Sequence, residues 1–177
     1  MSSIKLKGST SGDITISAPA EAGTNTLTLP ASTQTVGTVG PAFSAYQSSA
    51  QSGISHQTWT KVTLTTENFD TDSKFASSRF TPTVAGYYQL SGAVQTPSVT
   101  AAHFICGAIY KNGSSVFQFT LSNAGSGFYP ISTGSTVLYL DSDDYVELYV
   151  FGNKGGGDLT LQTGSIATHF EGAFIRS

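Results

Sequence analysis

The feature that most constrains this chain is its punctuation. From Pro41 to the C-terminus, short segments alternate apolar and polar residues, and a turn signal interrupts them at roughly 8–12-residue spacing. No stretch carries an apolar stripe at the helical period. Phe43-Ser44-Ala45-Tyr46 opens the series, and residues 58–64 (TWTKVTL) alternate. Residues 75–80 lead into the turn-forming run 81–86, and residues 87–94 form a long strand that leaves through Pro97. Residues 103–110 are apolar almost throughout, the pattern of a strand buried on both faces. They end in Asn112-Gly113, the strongest short hairpin signal, after which residues 116–119 return. Residues 135–140 and 145–151 flank an acidic turn, and residues 159–161 and 169–175 close the series. About ten short strands without a helix describe an all-β sandwich or jelly roll.

Composition sharpens this reading. Charged residues make up 11% of the chain, far below the quarter usual in soluble proteins, and strand-forming Thr, Val, Tyr and Phe are common. Every aromatic residue lies beyond Gly40. Residues 1–40 still alternate three times, at 4–6, 13–17 and 26–29, between turns rich in Gly, Ser and Pro. Three thin strands without an aromatic side chain cannot bury enough surface to stand alone. The sequence therefore divides into an attachment arm and linker, 1–40, whose linker is 34–40, and a globular head, 41–177.

The functional groups exclude more than they offer. A net charge of −3 without a basic stripe gives no basis for nucleic-acid binding. No apolar run reaches the roughly 20 residues of a membrane helix, so membrane insertion is not expected, and the N-terminus does not read as a signal peptide. The single cysteine, Cys106, sits in an apolar run and reads as a buried small hydrophobe. His56, His103 and His169 lack ligand-spaced partners. Asp141, Asp143 and Asp144 form the only acidic cluster; it departs from the EF-hand spacing and reads as a solvated turn, with a weak calcium site left open. No nucleophile elbow or phosphate loop occurs, no carboxylate pair is positioned for glycan hydrolysis, and no cofactor is implied. Trp59 could stack on a sugar, but its alternating strand favours core packing.

In order along the head, Ala42-Phe43-Ser44-Ala45, Asn68-Phe69-Asp70, Phe80-x-Pro82-x-x-x-Gly86-x-Tyr88, Tyr110-Lys111-Asn112-Gly113, the segment from Leu138 to Val146 with its Asp143-Asp144 pair, and Phe170-x-Gly172-x-Phe174-Ile175 occur. Together they resemble the globular head of complement C1q and its tumour-necrosis-factor-like relatives. The chain departs from that pattern by one residue between Phe80 and Pro82, by Asp143 in place of a glycine, and by Ala173 at a usually aromatic position. The resemblance implies a ten-stranded jelly roll that forms homotrimers, with Tyr88, Tyr149 and Phe170 as core or subunit contacts. The arm lacks the collagen-like or coiled stalk of secreted members and resembles segments of phage tail fibres, head fibres and other virion proteins.

The expectation is a non-enzymatic bacteriophage virion protein, made in the host cytoplasm and carried on the particle. It would be a trimeric short fibre or capsid decoration held to major capsid or tail proteins by its arm. A tail-fibre head that binds a host receptor or glycan is the alternative, and a secreted C1q-like module the less favoured one. Strands in a jelly roll are occupied by packing, so recognition falls to the loops at 122–127 and 152–158, with Asn123, Ser126, Asn153 and Lys154 as candidates. Such loops suit polar, largely uncharged targets and weakly salt-dependent binding.

Overall fold

The computed structural model describes residues 3–7, 9–17, 23–24, 40–99, 103–155 and 157–177. The chain forms two compact units, Met1–Val36 and Gly37–Ser177. The expected third arm strand at 26–29 and the linker residues 34–39 lie outside the described residues.

In the first unit β1 (Ser3–Lys7) and β2 (Asp13–Ser17) pair antiparallel. Opposed residues project from the same face. Ile4 pairs with Ile16 and Leu6 with Ile14, so the hairpin has one apolar face, and the other face carries Lys5 and Thr15. All four apolar side chains are exposed, by 47–69%.

The second unit is a sandwich with no helix among its described residues. One sheet has five strands in the order β12 (Ile131–Leu140), β8 (Gly86–Gln95), β14 (His169–Arg176), β3 (Ala42–Tyr46), β5 (Thr66–Asp70). The other has seven, with β10 (Ser114–Gln118), β9 (His103–Lys111), β13 (Val146–Asn153), β7 (Arg79–Phe80) and β6 (Phe75–Ala76) in order. Here β11 (Ser122–Ala124) also pairs with β9, and β4 (Thr60–Lys61) pairs with β13. The pairings assigned between strands are antiparallel, the jelly-roll arrangement expected from the strand spacing.

The inner faces carry the core. Phe43 stacks on Phe80 at 4.3 Å and on Phe75 at 5.3 Å, and Phe170 meets Phe43 edge-on at 5.1 Å. Leu90, Ile105, Ile109, Leu140, Leu148 and Leu161 fill the space around them. The Asn112-Gly113 turn forms as expected, since both residues have the positive φ that a two-residue hairpin of this hand requires. Gly86 is required by proximity: a Cβ there would lie 2.5 Å from the carbonyl oxygen of Arg176.

Several elements differ from the sequence reading. Of residues 58–64 only Thr60 and Lys61 are strand; Val62 and Leu64 turn inward, and Ser78 Oγ accepts from Leu64 N at 2.8 Å. Residues 159–161 form no strand: Leu159 makes a single isolated bridge to Ile54, and Leu161 N donates to Gln51 O at 2.9 Å. The acidic turn is not simply solvated. Asp144 is buried and accepts from Asn112 Nδ2 (2.6 Å) and Asp141 N (2.7 Å), while Lys111 Nζ lies 2.6 Å away. Its carboxylate ties this turn to the Asn112-Gly113 hairpin. Burial pushes the carboxyl up, but these hydrogen bonds and the Lys111 charge outweigh it and hold it below its usual range. Asp143 needs no left-handed backbone, so replacing glycine there costs nothing.

On the outer side of the seven-stranded sheet, Glu147 is buried and receives Lys61 Nζ at 2.6 Å and Arg79 Nε at 2.9 Å. Arg79 also lies over the Tyr145 ring at 3.7 Å. Burial raises the Glu147 carboxyl, and the two cations and their hydrogen bonds outweigh it, so the net shift is downward. A depressed carboxyl contributes stability that is complete above the ordinary carboxylate range and is lost as pH falls through its folded value. Glu147→Gln should lower stability at pH 7 by about 1–3 kcal/mol, the half-exposed cations being partly screened. It should also flatten the acid limb of a plot of denaturation midpoint against pH. An acid limb as steep as the parent's would show that other carboxylates carry it.

Candidate functional site

The sequence-predicted binding residues converge on one end of the sandwich. The middle strand, β9, opens there with His103 and Phe104. Phe104 is registered with Asn123 of β11 on one side and Asn153 of β13 on the other, so both amides flank its ring on the sheet's outer face. Asn123 therefore lies on a short strand, not in a loop as expected; three-residue edge strands carry too little alternation to be seen in sequence. Ser126 lies in the turn beyond it. That turn is tied to Val99, whose N donates to Phe128 O (2.9 Å) and whose O accepts from Gly127 N (2.7 Å). After Asn153 the chain turns tightly, with Asn153 Oδ1 accepting from Gly155 N and Lys154 bridging to Gly157.

Between these turns lies a cleft of about 280 Å³, lined by Thr96, Pro97, Ser98, Val99, His103, Lys154 and Thr160. His103 is buried; its Nε2 is 3.2 Å from Thr96 Oγ1, and its Nδ1 has no partner among the described residues. Burial, and then the nearby Lys154 charge, lower its pKa, so the ring is neutral at pH 7.

The three candidate contact residues separate cleanly. Tyr88 and Phe170 are fully buried in the core; the Tyr88 hydroxyl donates to Val84 O at 2.6 Å, and burial, with Asp72, pushes it up to about 12. Tyr149 is half-buried on the outer face of the seven-stranded sheet, stacked on Tyr110 at 3.8 Å. Trp59 joins that outer row, 5.2 Å from Phe151 and 6.0 Å from Tyr110. Core packing was expected for it, but alternation assigns a residue to a face without saying which face is inside.

The sequence reading missed the opposite surface. The outer face of the five-stranded sheet exposes Tyr87, Val137 and Tyr139 (44–49%), and Phe69 and Ile175 are about half exposed. A shallow groove of about 230 Å³ runs across it, where Ser91 Oγ donates to Glu171 Oε1 at 3.0 Å. The signal was available in the doublets Tyr87-Tyr88 and Tyr139-Leu140: when both members of an adjacent pair are apolar, one must face out.

Cys106 is buried, and burial raises its thiol pKa, so it is not a thiolate nucleophile at neutral pH. Among the described residues no three His, Cys, Asp or Glu side chains gather as a metal site.

This double-sheet arrangement, with its Asn-Gly hairpin and carboxylate-tied turn, is that of the C1q and tumour-necrosis-factor jelly rolls. Residues 42–175 match the model of the C1q domain, and the chain belongs to that family. Its structure is similar to the globular domain of the zebrafish complement 1qA protein, at 20% identity and a TM-score of 0.59, over 78% of this chain and 99% of that one. Murine APRIL is similar at 12% identity and TM-score 0.55 (77% and 99% covered). The Eiger TNF of S. frugiperda is similar at 8% and 0.57 (79% and 95% covered). At these identities the likeness is one of fold. No curated protein matches the chain in sequence.

Proposed function

We propose that this C1q-domain chain is a non-enzymatic structural protein of a bacteriophage particle, a trimeric short fibre or capsid decoration anchored by its N-terminal arm. The observation that carries this reading is the β1–β2 hairpin. Ile4, Leu6, Ile14 and Ile16 form one apolar face that the hairpin itself leaves uncovered, and a lone two-stranded hairpin is marginal in water. Such a face needs a partner surface, and a capsid or tail protein supplies one. Domains of this family are generally binding modules, which supports that role.

Trimerisation is supported by the exposed face of the five-stranded sheet, where Tyr87, Val137 and Tyr139 need cover. The expected solution mass is three times the 18.4 kDa chain, persisting on dilution to micromolar concentration. Val137→Asp should yield monomer without loss of the buried core, which lies on the other face of β12. A wild-type protein that sediments as a monomer overturns the trimer.

The structural likeness to complement 1qA, APRIL and Eiger favours a second reading, an extracellular binding module. Immunogold labelling and mass spectrometry of purified particles separate the two. The protein on intact virions supports the first; its absence there, with recovery from culture medium, supports the second.

A further inference from the structure

The cleft at the loop end of the head has a composition of its own. Its polar groups are the hydroxyls of Thr96, Ser98 and Thr160, the His103 imidazole and the Lys154 ammonium; Pro97 and Val99 form an apolar wall. At about 280 Å³ it falls just below the roughly 300–1,000 Å³ of sites for drug-sized ligands, so it accommodates one ring rather than several. Three hydroxyls beside an apolar wall match a pyranose, which offers hydroxyls at its rim and C–H groups on its face.

Charge narrows the choice. The ion pairs among the described residues involve Lys5, Lys61, Arg79 and Lys111, and Lys154 takes part in none. Lys154 lines the cleft, and among the described residues no carboxylate-bearing one lines it beside Lys154. His103 adds no second positive charge, because it is buried against Thr96 and neutral. Its buried Nδ1, unpartnered among the described residues, marks a hydrogen-bonding capacity that the fold has not used. A site with one fixed cation and several hydroxyls suits a ligand with one carboxylate and several hydroxyls.

We propose that this cleft binds an acidic monosaccharide unit of a glycan, a uronic or sialic acid, with Lys154 holding its carboxylate and Thr96, Ser98 and Thr160 its hydroxyls. The proposal deepens the binding role assigned to the head and is independent of where the protein resides.

The test uses the full chain, titrated separately with glucuronic acid, N-acetylneuraminic acid, glucose and inorganic phosphate, and followed by NMR shifts and calorimetry. At least one acidic sugar should bind about tenfold or more tightly than glucose, the scale of one charge-assisted hydrogen bond. Lys154→Gln should erase that preference while the melting temperature stays unchanged. Thr160→Val should weaken acidic sugars and glucose alike. Equal affinity for glucose and both acidic sugars, tighter binding of phosphate, or a Lys154→Gln protein with the parent's preference would each overturn the proposal. Failure here with the protein still on virions removes only the cleft assignment. Acidic-sugar binding by a protein absent from virions keeps the cleft and removes the virion reading.

Discussion

A chain lacking residues 1–40 should fold, trimerise and fail to join particles. The buried core cluster begins at Phe43, so the deletion removes none of it. β3 begins at Ala42 and is held between β14 and β5, so the sheet order survives the cut. What is lost is the hairpin and its uncovered apolar face. Because that face is the only part assigned to anchoring, incorporation should fall to background rather than decline in part. Complementation of a phage deleted for the gene, scored by the protein content of purified particles, reads this directly. Normal incorporation of the truncated chain would defeat the anchoring claim. An insoluble or unfolded truncation would instead place the head's true start upstream of Pro41.

The second large effect belongs to Phe119, just beyond β10. Its ring lies over three glycines drawn from both sheets. A Cβ on Gly134 of β12 would come within 2.2 Å of it, one on Gly107 of β9 within 2.4 Å, and one on Gly92 of β8 within 3.3 Å. Two further contacts fix the position: Phe119 N donates to Gly107 O at 2.8 Å, and Ser132 Oγ bridges Gly107 N and Thr120 O. The ring therefore fills the gap between the sheets where side chains on three strands are missing. Phe119→Ala should cost about 3–5 kcal/mol, since nothing nearby can collapse into the space. The melting temperature should drop on the order of 10 °C. Gly134→Val should be comparably damaging by collision. Combining the two should harm less than the sum of the single changes, because the valine then occupies the vacated volume. A strictly additive double variant would show that the ring and Gly134 do not share that space.

The legible parts of this fold were those encoded within one continuous segment. β8, β9 and β14 each run for eight residues or more, β8 and β9 with a clear burial pattern, and the Asn112-Gly113 turn is specified by two adjacent residues. Elements decided by distant neighbours were not legible. Phe119 was read as the end of a returning strand, and its role depends on glycines at 92, 107 and 134. Asp144 was read as part of a solvated turn, and its burial depends on Lys111 and Asn112. Asn123 and Asn153 were chosen from loop composition; what relates them is a shared register against Phe104, which no local pattern shows. The cleft is assembled from residues 96–99, His103, Lys154 and Thr160, and only Lys154 had been singled out as a binding residue.

The register of β3, β8 and β14 fixes one more property. Phe174 N donates to Pro41 O, and Arg176 is registered with Tyr87, so the head's first and last residues leave it side by side. The opposite tips of the same strands, Tyr46, Gln95 and His169, lie toward the cleft residues that follow Gln95. Entry and exit are therefore separated from the cleft by the length of a strand, about 25 Å for eight residues. A reporter, affinity tag or surface tether fused to the isolated head at Pro41 or at Ser177 would hang from the pole away from the cleft and leave the recognition end unobstructed. The head can thus serve as a display scaffold whose two handles are interchangeable.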